Sequence, residues 1–258
     1  MQAWIDFGRG PLFRLAFALM LLGLARILAL SLAAAAEAYR RNADRIVDWK
    51  QLAWRTLGWL APAAHLWRRR PLYGTLSFLF HVGLLSVPAF LGAHILLWRR
   101  SIGLAWPALP QALADWLTLL TLVCAAGLLV GRLLDRRARA ISRSQDYLWL
   151  LLLAAPFASG YACSNLAVSP RAYQWLMLLH VYSANLVMAL IPFTKIAHCV
   201  LAPLSHLVTA LAWKFPAGAG DRVAATLGFA GQPSWIEGAR AGVAPTAPAR
   251  SGEEIYSR

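Results

Sequence analysis

Hydrophobic and polar positions alternate along this chain in long blocks, with extended apolar runs separated by short stretches dense in arginine. The runs cover residues 12–36, 73–98, 112–134, 147–166 and 173–202. Each is close to or above the roughly 20 residues that a helix needs to cross about 30 Å of hydrocarbon. Between the first two, from Tyr39 to Pro71, the apolar residues Ile46, Trp49, Leu52, Leu57 and Leu60 recur at helical spacing among basic ones. That pattern predicts a helix lying along a membrane surface. Past Pro203 the chain turns polar and rich in Gly, Pro and Ala, so residues 207–258 read as an extended tail. The expected fold is all-α, a five-helix transmembrane bundle over residues 1–206 followed by that tail.

Composition changes this picture little. Hydrophobic residues make up 59% of the chain, charged residues 14%, and mean hydropathy is +0.54, which excludes a soluble domain. A net charge of +14 would suggest nucleic acid in a soluble protein. Here the basic residues cluster between apolar runs, so they report topology. The connectors after the first and third runs, with the tail, hold far more Lys and Arg than the loops after the second and fourth. The N-terminus is therefore expected outside and the C-terminus in the cytoplasm. Most of the twelve tryptophans, among them Trp67, Trp98, Trp116, Trp149 and Trp175, fall near span ends, as an aromatic belt would. The N-terminus has no basic segment followed by a small-residue cleavage site, so the first run is expected to stay as an anchor. Cys124, Cys163 and Cys199 all lie inside apolar segments without C-x-x-C spacing. They read as small apolar residues, and give no sequence case for an iron–sulfur cluster, a zinc site or covalent c-type haem.

The candidate chemistry rests on histidine. Of six histidines, four lie in two of the five spans: His81 and His94 in the second, His180 and His198 in the fifth. Read as one helix, the fifth span puts His180 and His198, eighteen residues apart, five whole turns apart on one face. Antiparallel spans then pair His81 with His198 towards the cytoplasm and His94 with His180 towards the outside. Two facing imidazoles in an apolar bundle are what a non-covalent b-type haem requires, so the pattern predicts two bis-histidine haem sites with these four residues as iron ligands. The spacing of His81 and His94 fits less well, because thirteen residues on an ideal helix leave them roughly 140° apart. Pro88 between them can kink the helix. His65 and His206 read as surface residues. Arg26, within the first run, either snorkels to the interface or faces the bundle and pairs with a buried anion such as a haem propionate. Lys195 is a candidate for a propionate or phospholipid contact, or an interfacial anchor. Ser86, Ser183 and Asn185 could orient ligands or a quinone, or join helices.

On these residues the chain resembles the gamma subunit of respiratory nitrate reductase, a dihaem cytochrome b. The likeness lies in Phe80-His81-Val82-Gly83, in Leu179-His180, and in Ile191-Pro192-Phe193-Thr194-Lys195-Ile196-Ala197-His198. It spans about residues 12–206. It implies a multi-pass protein of the bacterial cytoplasmic membrane that passes electrons between quinone and a cytoplasmic iron–sulfur subunit. In that family the second ligand of span two comes ten residues after the first; here that position is Leu91, and His94 follows three residues later. The Pro88–His94 and Ala105–Pro110 stretches look more like relatives that pair with heterodisulfide-reductase-like iron–sulfur proteins in sulfur-metabolism or hydrogenase-linked complexes.

The sequence reading is thus a respiratory electron-transfer subunit with two haem b groups, exchangeable quinone and substrate chemistry on a partner. The rival from another class is a haem-handling or transport protein, which would gather its tryptophans in one external loop. A proton-linked carrier would need acidic residues inside the spans, whereas Glu37, Asp115 and Asp146 sit at span edges.

Overall fold

A computed structural model describes residues 1–41, 49–58, 70–212 and 219–228. The described residues fold almost wholly into helices: α1 (Gln2–Phe7), a π turn (Gly8–Leu12), α2 (Phe13–Arg41), α3 (Trp49–Gly58), α4 (Pro71–Phe90), α5 (Gly92–Ile102), α6 (Gln111–Leu134), α7 (Arg136–Ile141), α8 (Ser144–Asn165), α9 (Pro170–Leu190), α10 (His198–Ala212) and α11 (Ala219–Thr226). Five segments are long and apolar enough to cross a membrane: Gln2–Arg41, Pro71–Phe90, Gln111–Leu134, Ser144–Asn165 and Pro170–Phe193. These are the five expected spans. The first reaches further towards the N-terminus than its apolar run, because the π turn carries the helix through Pro11.

Helix starts follow local chemistry. Pro71 and Pro170 occupy first-turn positions, where a missing N–H costs nothing. Ser169 caps α9 by accepting from Ala172 N, and Asp135 caps α7 by accepting from Arg137 N at 2.9 Å. That amide bond, with the Arg70 guanidinium 3.0 Å away, holds the Asp135 carboxyl below its usual range.

Large apolar side chains such as Leu22, Leu85, Trp116 and Val123 stand mostly exposed on these helices. On a bundle this apolar, such an outer surface is the one that lipid covers. The buried residues form a small core of Phe80, Cys124, Ala125 and Leu128, packed by Leu76, Leu84, Leu150 and Leu153. This core joins α4, α6 and α8 and places the Cys124 thiol in apolar packing.

Neighbouring helices follow one another in the order α4, α6, α8, α9, α2, α10, with α3 resting on α10. The chain of neighbours does not close by backbone packing. Among the described residues α4 packs extensively against neither α9 nor α10. The seam left there is spanned by side chains from spans two and five.

Three expectations need correction. The fifth run is not one helix over 173–202: α9 ends at Leu190, short 3₁₀ turns cover Ile191–Phe193 and Lys195–Ala197, and Thr194 between them is extended at φ −133°, ψ 179°. Pro192 has no N–H to give and its ring collides with the carbonyl one turn back, so the α-helix stops. Gly23 of α2 makes room for this proline, since a Cβ there would run into the Pro192 ring. His180 and His198 therefore lie on different helices, and counting whole turns between them does not apply. The second run is likewise divided, at Leu91, which is extended at φ −66°, ψ 131°. At the C-terminal side, α10 runs past residue 206 to Ala212, with Leu211 buried, so the first residues assigned to the tail belong to the bundle.

Candidate functional site

Both breaks decide where imidazoles go. At Leu91 the helix gives up bonds to Ala89 and Phe90, and the loop after Gly103 replaces them. Trp106 Nε1 donates to Ala89 O at 2.8 Å and Leu109 N to Phe90 O at 2.9 Å. Carbonyls freed inside an apolar span need partners, and the Ala-Trp-Pro-Ala-Leu-Pro stretch supplies them. Trp98, one turn after His94, packs edge-on against Phe13 and Phe17 of α2 with ring centres 5.2 and 4.9 Å away. The short helix α5 is thus held at both ends. The roughly 140° discrepancy between His81 and His94 disappears, because the two no longer share a helix. Leu91, where the resemblance would put a ligand, is itself the extended residue.

Trp106→Phe keeps the aromatic packing and orphans the Ala89 carbonyl. It is expected to cost about 1–3 kcal/mol, read as a lower unfolding temperature in detergent beside an unchanged Trp149→Phe control.

At the second break, Lys195 Nζ pairs with Asp146 Oδ1 of α8 at 2.6 Å, while Asp146 Oδ2 accepts from Arg143 N. The backbone carbonyl of the same lysine receives His198 Nδ1 at 2.9 Å. The first turn of α8 therefore fixes the residue that orients His198.

The four histidines come together in the predicted pairs. His81 and His198 have ring centres 5.9 Å apart with planes at 88°, and His94 and His180 have centres 6.0 Å apart with planes at 8°. Two imidazoles on opposite sides of one metal ion, with metal–nitrogen bonds of about 2 Å, have ring centres roughly 6 Å apart once the width of each ring is added. Each Nδ1 also meets a backbone carbonyl: His81 at Ser77 O (2.6 Å), His94 at Val87 O (3.3 Å), His180 at Pro156 O (2.7 Å) and His198 at Lys195 O. A carbonyl only accepts, so each Nδ1 carries the hydrogen and each Nε2 keeps its lone pair. This is the tautomer of a metal-ligating histidine, with its other nitrogen oriented by a hydrogen bond.

Among the described residues no three His, Cys, Asp or Glu side chains gather at one point. The unit is the pair. A pair is what an iron already held by four macrocycle nitrogens asks of a protein, and the seam between α4 and α9–α10 is where a flat group would lie. The residues present fit haem.

Other predicted residues fall as follows. Lys195 is engaged by Asp146. Arg26 is exposed on α2 and pairs with no carboxylate among the described residues. Ser183 Oγ donates to His180 O, and the buried Asn185 donates to Gly8 O, joining α9 to the π turn. Ser86 and His206 are half-buried. His65 lies outside the described residues.

Sequence reasoning missed several supporting residues. Trp106 acts from a loop and Asp146 from another helix, and only an N3 acidic residue at Asp146 was a visible local signal. Gly160 of α8 leaves room for His180: a Cβ there would sit 2.9 Å from both Nδ1 and Cε1 of the ring. The relevant signal was a lone glycine inside an apolar helix.

No family model matches the chain, and no solved structure does. Among curated proteins it is similar to one from Nitratidesulfovibrio vulgaris (strain Hildenborough) that bears no description beyond "Protein", at 33% identity over 151 residues. The match covers 58% of this chain and 66% of that relative, slightly less than two thirds of its length.

Proposed function

We propose that this chain is a b-type cytochrome subunit of a membrane-bound oxidoreductase, with one haem held by His81 and His198 and a second by His94 and His180. One observation carries the reading: both pairs have ring centres about 6 Å apart while all four Nδ1 atoms are committed to carbonyls. Haem bound there would supply one-electron chemistry at two stations, one towards each end of the bundle.

The chain's own residues hold and tune those stations. Hydrogen bonds at Nδ1 fix the ring planes and raise the basicity of Nε2. Buried Phe80, Val87, Ile95 and Val181 beside the ligands keep water away, and burial with nearby charge sets potentials. The end bearing Arg70, Arg132, Arg136, Arg137, Arg139 and Arg143 faces the cytoplasm by the positive-inside rule, which puts the N-terminus outside a bacterial cytoplasmic membrane. Exposed arginines of α7 there suit an acidic docking face on an iron–sulfur partner, of the heterodisulfide-reductase-like type in the resemblance. Quinone is the exchangeable partner within the membrane. Lys195 spends one of its three N–H donors on Asp146 and keeps others for a propionate, and Arg26 is an exposed cation of α2.

Asp146→Asn keeps the bond from Arg143 N and removes a negative charge near the His81/His198 site. The midpoint potential of that haem is expected to rise, because a carboxylate nearby favours the ferric state, while the other haem stays unchanged in a potentiometric titration. The lost ion pair itself contributes about 1 kcal/mol or less.

The deciding experiment is a reduced-minus-oxidised spectrum with pyridine haemochrome quantitation on the purified chain. Two b-type haems per chain are expected. A haem-free protein with native stability overturns the reading and moves the haem-handling or transport alternative to the front.

A further inference from the structure

The first span runs through a proline. Pro11 cannot donate to the turn before it, and the helix widens into a single π turn over Gly8–Leu12. Such turns inside helices gather at functional sites because they change where side chains point. This one is held from α9: Asn185 Nδ2 donates to Gly8 O at 2.9 Å, and Tyr182 Oη donates to Trp4 O at 3.2 Å.

The turn delivers Arg9 to α9, where Nη2 lies 2.9 Å from Met177 Sδ. A thioether is a weak, uncharged acceptor. Among the described residues no carboxylate pairs with Arg9. Met177 lies three residues before His180, on the same face of α9, so its contact puts the Arg9 guanidinium one helical turn from that residue. A permanent cation on the outer surface of the bundle is therefore held one turn from a candidate ligand, opposite a weak neutral acceptor. Charges in such positions are costly and normally have a counter-ion. Arg9 is itself exposed, as are Arg14, Arg99 and Arg100, and what sets it apart is its contact with Met177 of α9.

We propose that Arg9 is the oxyanion-binding residue of the His94/His180 site, its guanidinium taking a haem propionate where it now meets Met177. The proposal rests on the dihaem reading above. A phospholipid phosphate has the same oxyanion chemistry and is the competing source. With a propionate bound, Arg9 becomes a positioning residue that raises this haem's potential, since a cation disfavours the more positive ferric state.

The test is a spectroelectrochemical titration of the purified holoprotein and its variants at several pH values. The haems are told apart by electron paramagnetic resonance: perpendicular imidazoles at His81/His198 give a highly anisotropic low-spin signal, and parallel ones at His94/His180 a rhombic signal. Arg9→Gln is expected to lower the reduction equilibrium constant of the rhombic haem by about tenfold, which is 59 mV for a one-electron couple. That potential should also become more pH-dependent as the propionate is left to titrate. Arg9→Lys should restore most of it, and the other haem should not move. Two haems with unchanged potentials in Arg9→Gln overturn the proposal, and unchanged potentials with loss of co-purifying phospholipid phosphorus assign the residue to lipid instead. If Arg9→Gln does not assemble, Met177→Leu decides, because the proposal requires both haems and both potentials to survive it. A wild-type protein without haem overturns the dihaem reading itself, before any variant is made.

Discussion

His198→Ala is expected to reduce haem from two to one per chain, leaving the rhombic signal of His94/His180, and His94→Ala to do the converse. The two pairs share neither a histidine nor an Nδ1 partner: Ser77 and Lys195 serve one, Val87 and Pro156 the other. Truncating one imidazole removes half the axial ligation at one site and disturbs no hydrogen bond at the second. Haemochrome quantitation with electron paramagnetic resonance reads both results in one preparation. Adding Leu91→His to His94→Ala should not restore the lost haem. Leu91 is the extended residue between α4 and α5, so a ring there leaves the backbone in a different direction from one on α5. Loss of both haems from either single variant, in a protein that still folds, would sink the claim of two independent sites.

The pairing was legible because it needs only span order and depth. Antiparallel spans with a histidine near each end bring first to last and last to first, whatever happens in between. The path between was not legible. An eighteen-residue interval suits an unbroken helix so well that it hid the signal lying inside it, Pro192 followed by Thr194. Leu91 gave no signal at all, since its extended backbone depends on Trp106 and Leu109 from the following loop taking over the carbonyls it abandons. Gly8, Gly10 and Pro11 lie before the first apolar run, which begins at residue 12. A π turn tied down by Asn185 instead carries the helix through them.

In both spans the ligand after the break is the one whose position depends on distant residues. His81 and His180 sit within continuous helices, and their Nδ1 partners are Ser77 one turn earlier and Pro156 of the packed neighbour α8. His94 and His198 follow breaks whose geometry is held by Trp106 and by the Asp146–Lys195 pair. Local pattern therefore located all four histidines along the chain but could orient only those on unbroken helix.

Gly160→Ala is expected to abolish haem binding at His94/His180 while preserving it at His81/His198. The new Cβ would lie 2.9 Å from Nδ1 and Cε1 of His180, well inside the roughly 3.5–4.0 Å at which such atoms attract. The ring has no free direction of escape without loss, because its Nδ1 is bound to Pro156 O at 2.7 Å on the same helix as Gly160. Relief comes from breaking that bond or from separating α8 and α9, and overpacking of this kind costs about 1–3 kcal/mol. Either movement turns Nε2 away from His94, and axial ligation tolerates little misalignment. Alanine makes the test clean: it is the best helix former and improves propensity over glycine by about 1 kcal/mol, so a loss of haem cannot come from a weakened helix. Haem per chain should fall to one, the rhombic signal should vanish, and far-ultraviolet circular dichroism should hold. A Gly160→Ala protein that keeps two haems with both signals unchanged would mean that His180 is not the ligand its geometry indicates.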